Sequence, residues 1–184
     1  MTASIDAAVE RVLPILDSSL QVSRPHKRRH SLGVYEVVSG DERYILKVNM
    51  GYNKIFGRKE LSCLGRIKGV PRTPQLIDFY DDGDVLCILK SMAPGSNLEE
   101  YMAQGGIIRP SFYPSALEVV DEIHARGVYY LDLHKPENVV VGREGVWLFD
   151  FDCVKSHPID LSSEKIEREK SRDINYLKKY LKIN

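Results

Sequence analysis

Residues 130–152 read YLDLHKPENVVVGREGVWLFDFD, and the fold turns on this stretch. Its middle is a hairpin: Val139 to Val141, a turn from Gly142 to Gly145, then Val146 to Phe149. The strands are apolar on successive residues, so both of their faces are expected to be buried. Oxygen-bearing side chains bracket the hairpin. Asp132 and Asn138 precede its first strand and Asp150 follows its second. An antiparallel hairpin returns the chain to its start, which brings Asn138 and Asp150 to the same open end. A carboxylate with a neutral oxygen suits a hard cation such as Mg²⁺, which keeps water or substrate phosphates in its remaining positions. Asp132, on the loop leading in, is then placed as a base or as a group that orients a nucleophile.

Upstream, residues 114 to 126 carry Leu117, Val120 and Ile123 on one helical face and end at Gly127, where a helix stop is expected. Ala93-Pro94-Gly95 breaks the chain before a short helical stretch at Leu98 to Met102. Two further hairpins precede it. One runs from Val34 to Val38 and from Tyr44 to Val48, the other from Leu76 to Tyr80 and from Val85 to Leu89. Asp81-Asp82-Gly83-Asp84 reads as the turn of the latter, since it lacks the alternating ligands of a calcium loop. Lys47 lies inside a strand. Between the hairpins, residues 58 to 67 form a helix with Glu60 in its first turns.

The ends read more simply. Ile5, Val9, Val12, Leu13 and Leu16 recur at helical spacing, and this N-terminal helix reads as an addition to the fold, bent or ended by Pro14. Arg24 to His30 is a basic run expected as a solvated loop or as a contact for anions. From Ser163 onward, Ile174, Leu177 and Leu181 stand among many charges, as in a terminal helix packed on one side.

Taken together, Tyr130 to Asn138 followed by Asp150-Phe151-Asp152 resembles a protein-kinase catalytic loop and its metal-binding motif. Tyr44-Ile45-Leu46-Lys47 resembles the strand whose lysine grips the α- and β-phosphates, and Glu60 falls where the glutamate pairing with that lysine would be. Cys87 to Ala93 corresponds to the strand and hinge that hold adenine. The likeness covers roughly residues 20 to 155. No Ala-Pro-Glu sequence or large helical lower lobe fits beyond, so the chain is similar to the economical RIO-type and bacterial Kdo-kinase-like branches.

The resemblance implies an α+β, protein-kinase-like, two-lobed fold. Residues 1–19 would be a helical extension, 20–91 an antiparallel-sheet N-lobe and 92–184 a truncated, mainly helical C-lobe. It implies ATP and Mg²⁺ as cofactors, with Asp132 and Lys135 catalytic, Lys47, Glu60 and Gly33 at the nucleotide, and Asn138 and Asp150 on the metal. The γ-phosphoryl group would pass to a hydroxyl, of a protein serine or threonine before a sugar or other small alcohol. A nucleotide-binding pseudokinase scaffold is the alternative. The loop from Asp132 to Asn138 is one residue longer than the D-x-x-x-x-N of protein kinases, as if His134 were inserted. No G-x-G-x-x-G precedes Lys47. Tyr130 and Leu131 stand where His and Arg are common, and Asp152 stands where Gly ends the metal motif.

Composition excludes other classes. The 184 residues are 43% hydrophobic and 28% charged, within the range of a globular domain. Twenty-six Lys and Arg balance 26 Asp and Glu, so there is no whole-molecule basic field for nucleic acid. Cys63, Cys87 and Cys153 are an odd number without a C-x-x-C pair, which argues against a disulfide framework or a thiolate zinc site. With no apolar run long enough for a signal peptide or membrane span, a reducing, cytoplasmic setting is expected.

Overall fold

A computed structural model describes residues 4–29, 31–129, 131–152, 155–156 and 162–181. His30, Tyr130 and Cys153 lie outside the described residues. The chain divides into two compact units: Met1–Leu61 with Gln75–Met92, and Ser62–Pro74 with Ala93–Asn184. The architecture is mixed α+β.

The first unit is built on an antiparallel five-stranded sheet. Helix α1 (Ile5–Leu16) is followed by β1 (Gln21–Arg29), β2 (Leu32–Ser39), β3 (Glu42–Met50), helix α2 (Lys54–Arg66), β4 (Leu76–Asp81) and β5 (Val85–Ser91), in the spatial order β1-β2-β3-β5-β4. Strand β5 is buried along almost its whole length, and β3 is buried from Ile45 to Asn49. Side chains alternate between the faces of a strand, so each face needs a cover. Ile5, Ala8, Val9, Val12 and Leu13 of α1 pack with Tyr35, Val37, Leu46, Val48, Cys87 and Leu89 on one face. Far from being an addition, α1 closes half of this core, capped at its start by the Ser4 hydroxyl and running through Pro14 in its last turn.

The basic run departs from its expected loop. Arg24, Pro25, His26 and Lys27 belong to edge strand β1, whose register shifts between Val22 and Arg24 and between Pro25 and Lys27. Proline and positive charge are tolerated at an edge and discourage pairing with another chain. The run also meets one counter-charge: Arg24 bonds the buried Glu36 carboxylate, which Arg43 of β3 shares, with the His26 ring 3.4 Å away. Burial pushes the Glu36 carboxyl up, but the bonds from Arg43 and Arg24 outweigh it and hold it below the ordinary carboxylate range.

The second unit contains β6 (Ser96–Asn97), helices α3 (Leu98–Ala103) and α4 (Phe112–Ala125), β7 (Val128–Tyr129), β8 (Val139–Gly142), β9 (Gly145–Leu148), β10 (Lys155–Ser156) and helix α5 (Ser163–Leu181). Strands β8 and β9 form the expected hairpin, pairing Val139 with Leu148 and Val141 with Val146. Strand β6 adds to β8 at close range: a Cβ on Gly95 would stand 2.2 Å from the Val141 carbonyl oxygen, and its φ of +140° suits glycine alone. Helix α4 buries Ala116, Val119, Val120 and Ile123. Among the described residues no helix is long and apolar enough to cross a membrane.

Candidate active site

Lys47 lies on the β3 face opposite α1, alternating with Ile45 and Asn49. Its Nζ is 2.9 Å from Oε2 of Glu60, and both side chains are buried. The helix carrying Glu60 starts at Lys54, earlier than its apolar pattern alone indicated. Glu60 therefore sits near the end of the second turn, where it reaches the sheet. A second lysine also reaches this carboxylate. Lys90, on β5 opposite Ile45, forms an ion pair with Oε1 of Glu60 and is 1% exposed. Sequence reading missed it, although a charge closing the apolar run Val85–Leu89 was the available signal. Two ammonium groups thus share one buried carboxylate.

Gly33 lies in β2, between Arg28 of β1 and Val48 of β3. A Cβ there would come within 2.5 Å of the Tyr35 ring and 2.6 Å of Ile5. Close packing against α1 therefore accounts for glycine at this position. Tyr35 is itself tied to α1, its hydroxyl donating to Asp6 Oδ1 at 2.9 Å.

In the second unit, the loop from Leu131 to Asn138 ends in a short 3₁₀ turn, Pro136–Asn138, which leads directly into β8. Asp132 and Asp150 both adopt left-handed backbone, with φ of +57° and +64°. Such conformations are uncommon outside glycine, and aspartate is among the residues that tolerate them best. Asn138 is buried, its amide donating to the Asp132 carbonyl at 3.2 Å. The Phe149 N–H donates to the Asn138 carbonyl at 2.8 Å, extending the hairpin ladder by one pair. Asn138 and Asp150 consequently emerge at the open end of the hairpin, as its topology requires.

The Asp132 carboxylate is buried and engaged on both oxygens. His134 Nδ1 is 2.6 Å from Oδ1, and Lys135 Nζ bonds Oδ2. Helix α5 anchors the loop. The buried Asp173 accepts the Leu131 N–H at 2.9 Å and lies 2.9 Å from His124 Nε2 of α4. The Tyr180 hydroxyl donates to the His134 carbonyl at 2.9 Å. His124 and Asp173 were not read as site residues, because an aspartate in so charged a helix resembles one on a solvated face.

No protein-family profile matches the chain. Among curated proteins it is similar to serine/threonine-protein kinase B of Synechocystis, at 27% identity over 53% of the chain and 18% of that protein. It is also similar to two Arabidopsis thaliana proteins. The identity is 33% to serine/threonine-protein kinase WAG2, over 55% of the chain and 22% of the relative. It is 29% to CBL-interacting serine/threonine-protein kinase 9, over 48% and 20%. The chain spans about a fifth of the length of these relatives. Over about half of its residues it is thus distantly homologous to serine/threonine kinases, a relationship that points to a kinase-like domain.

Proposed function

We propose that this protein is an ATP- and Mg²⁺-dependent phosphotransferase that moves the γ-phosphoryl group of ATP to a hydroxyl. The buried Lys47–Glu60 pair is the observation that carries this reading. A lysine immobilised by a carboxylate is preorganised to meet phosphate oxygens, and it is the pair a protein-kinase N-lobe requires. The five-stranded antiparallel sheet is compatible with such a lobe. Lys47 positions the α- and β-phosphates. Gly33 acts indirectly, keeping β2 close to α1 beside the β1–β2 turn.

The donor set at the hairpin end fits Mg²⁺. With its amide nitrogen donating to the Asp132 carbonyl, Asn138 keeps its side-chain oxygen as an acceptor, and Asp150 adds a carboxylate. Among the described residues no three His, Cys, Asp or Glu side chains stand together as a metal cluster. Two protein oxygens nonetheless suit a cation coordinated chiefly by water and phosphate. Bound Mg²⁺ would neutralise charge on the phosphate oxygens. Asp132 supplies the negative charge of the catalytic loop toward the acceptor hydroxyl, with Lys135 beside it to meet the transferring phosphoryl group.

The Lys135-Pro136-Glu137-Asn138 ending and the kinase relatives favour a protein serine or threonine as acceptor. The test is incubation with γ-labelled ATP and Mg²⁺, with and without a generic protein or sugar acceptor, beside Asp132→Ala and Asp150→Ala. Label transferred by the unmutated chain alone supports the enzyme. ATP-dependent thermal stabilisation without transfer to any acceptor would overturn it in favour of a nucleotide-binding scaffold.

A further inference from the structure

We infer that His134, the extra residue of the catalytic loop, is the group that receives the acceptor's proton, with Asp132 acting through it. The inference rests on the phosphotransferase reading and assigns the proton within it. Asp132 offers little surface to a substrate: its side chain is 4% exposed, and its two oxygens already meet His134 and Lys135. The imidazole is 41% exposed. With Nδ1 held 2.6 Å from a carboxylate oxygen, the contact favours a proton on the Nδ1 side of the ring. Nε2 is then left with an available lone pair. Nε2 has no hydrogen-bond partner among the described residues. A buried carboxylate that fixes the tautomer of a half-exposed imidazole is the arrangement by which a histidine is made a directed base.

The surroundings hold the ring in place. The Tyr180 hydroxyl fixes the His134 carbonyl, and the Tyr176 ring lies 6.0 Å from the imidazole at 48°. Among the described residues, Asp132 and the Tyr176 ring lie against the imidazole, Lys135 meets the same Asp132 carboxylate, and Tyr180 of α5 bonds the His134 carbonyl. Arg172 lies over the Tyr176 ring and Lys179 over the Tyr180 ring. In the transfer step the acceptor O–H bond breaks and its proton goes to Nε2. The freed oxygen forms the new bond to the γ-phosphorus as the bond to the β,γ-bridging oxygen breaks, releasing ADP. The imidazolium is stabilised by the Asp132 carboxylate and later gives its proton to water.

Two substitutions separate this role from a structural one. His134→Asn keeps an N–H donor toward Asp132 and lacks a base. His134→Gln extends an amide toward the position of Nε2. Both should retain the ATP-induced rise in Tm while losing about 10²–10⁴ in kcat, the usual contribution of a general base. Unmutated protein should show an acid limb in the pH profile of kcat/KM, as a general base requires, and this limb should vanish in both variants. Rates within about threefold of the unmutated chain, with the limb unchanged, would overturn the assignment and leave the kinase reading standing on Asp132. Absence of both transfer and ATP-induced stabilisation in the unmutated chain would overturn the two together.

Discussion

Replacing Glu60 with glutamine tests the buried ionic site without opening a cavity. In the native protein one carboxylate lies 2.9 Å from Lys47 Nζ and also pairs with Lys90. The trio therefore carries a net charge of one, and the substitution raises it to two in a place from which water is excluded. At this distance and an effective dielectric of about 20, the Coulomb attraction is about 6 kcal/mol per pair. Much of that is offset by desolvation, and removing one partner of a buried pair costs about 3–5 kcal/mol net. A loss of this size is a large share of the about 5–15 kcal/mol that stabilises a typical domain. With a urea slope of about 1–3 kcal/mol per molar, the midpoint should fall by about 1 M or more. Lys90→Met acts in the opposite sense: it leaves a neutral Lys47–Glu60 pair beside an apolar chain of similar length. Its stability should stay within about 1 kcal/mol of the unmutated protein or rise. Equilibrium urea unfolding followed by circular dichroism measures both, and a Glu60→Gln cost below about 1 kcal/mol would refute the reasoning.

Three further outcomes follow from the same geometry. Asp173→Asn weakens the charge-assisted bonds to the Leu131 N–H and His124 and should lower stability by about 1.5–3 kcal/mol in urea unfolding. The Glu36 carboxyl is held low by Arg43 and Arg24 despite burial; Asp81 is held low by the Gly83 N–H and Asp82 by the Val85 N–H. Folded values below unfolded ones give stability that is complete above about pH 5 and is lost as pH falls through the folded values. Urea midpoints measured from pH 7 to pH 3 should therefore decline, and less steeply in Glu36→Gln. Burial, aided by the nearby Asp82 charge, pushes the Cys87 thiol up to about 12. Peptide mapping should accordingly find it unalkylated by iodoacetamide at pH 8 in native protein and alkylated after denaturation.

The sequence carried the hairpins well, because alternation and turn residues are local signals. Asn138 and Asp150 were readable for the same reason: once Val139–Val141 and Val146–Phe149 pair, the bracket follows. Strand β1 was hidden. Arg24-Pro25-His26-Lys27 has the composition of a loop, and the counter-charge that receives Arg24, Glu36, lies on the neighbouring strand β2. The importance of α1 was hidden too, since helical spacing shows that a face is apolar but not what covers it. In α5 the buried stripe is Glu169, Asp173, Leu177 and Leu181. Two of its four members are acids, so a periodicity argument reads them as solvated. His124 and Asp173 are separated by 49 residues, and no local pattern announces such a contact. Lys90 carries no local signal of its partner, because Glu60 lies 30 residues away on a helix, and the His134 side chain turns onto Asp132 only in the folded loop.

Calorimetric titration of the unmutated chain with ATP in the presence of Mg²⁺ tests the central claim most directly, with Lys47→Met and Asp150→Asn as companions. The account predicts saturable binding that weakens in both variants, with Asp150→Asn also losing its dependence on Mg²⁺. An unmutated chain that takes up no nucleotide at millimolar ATP would contradict it.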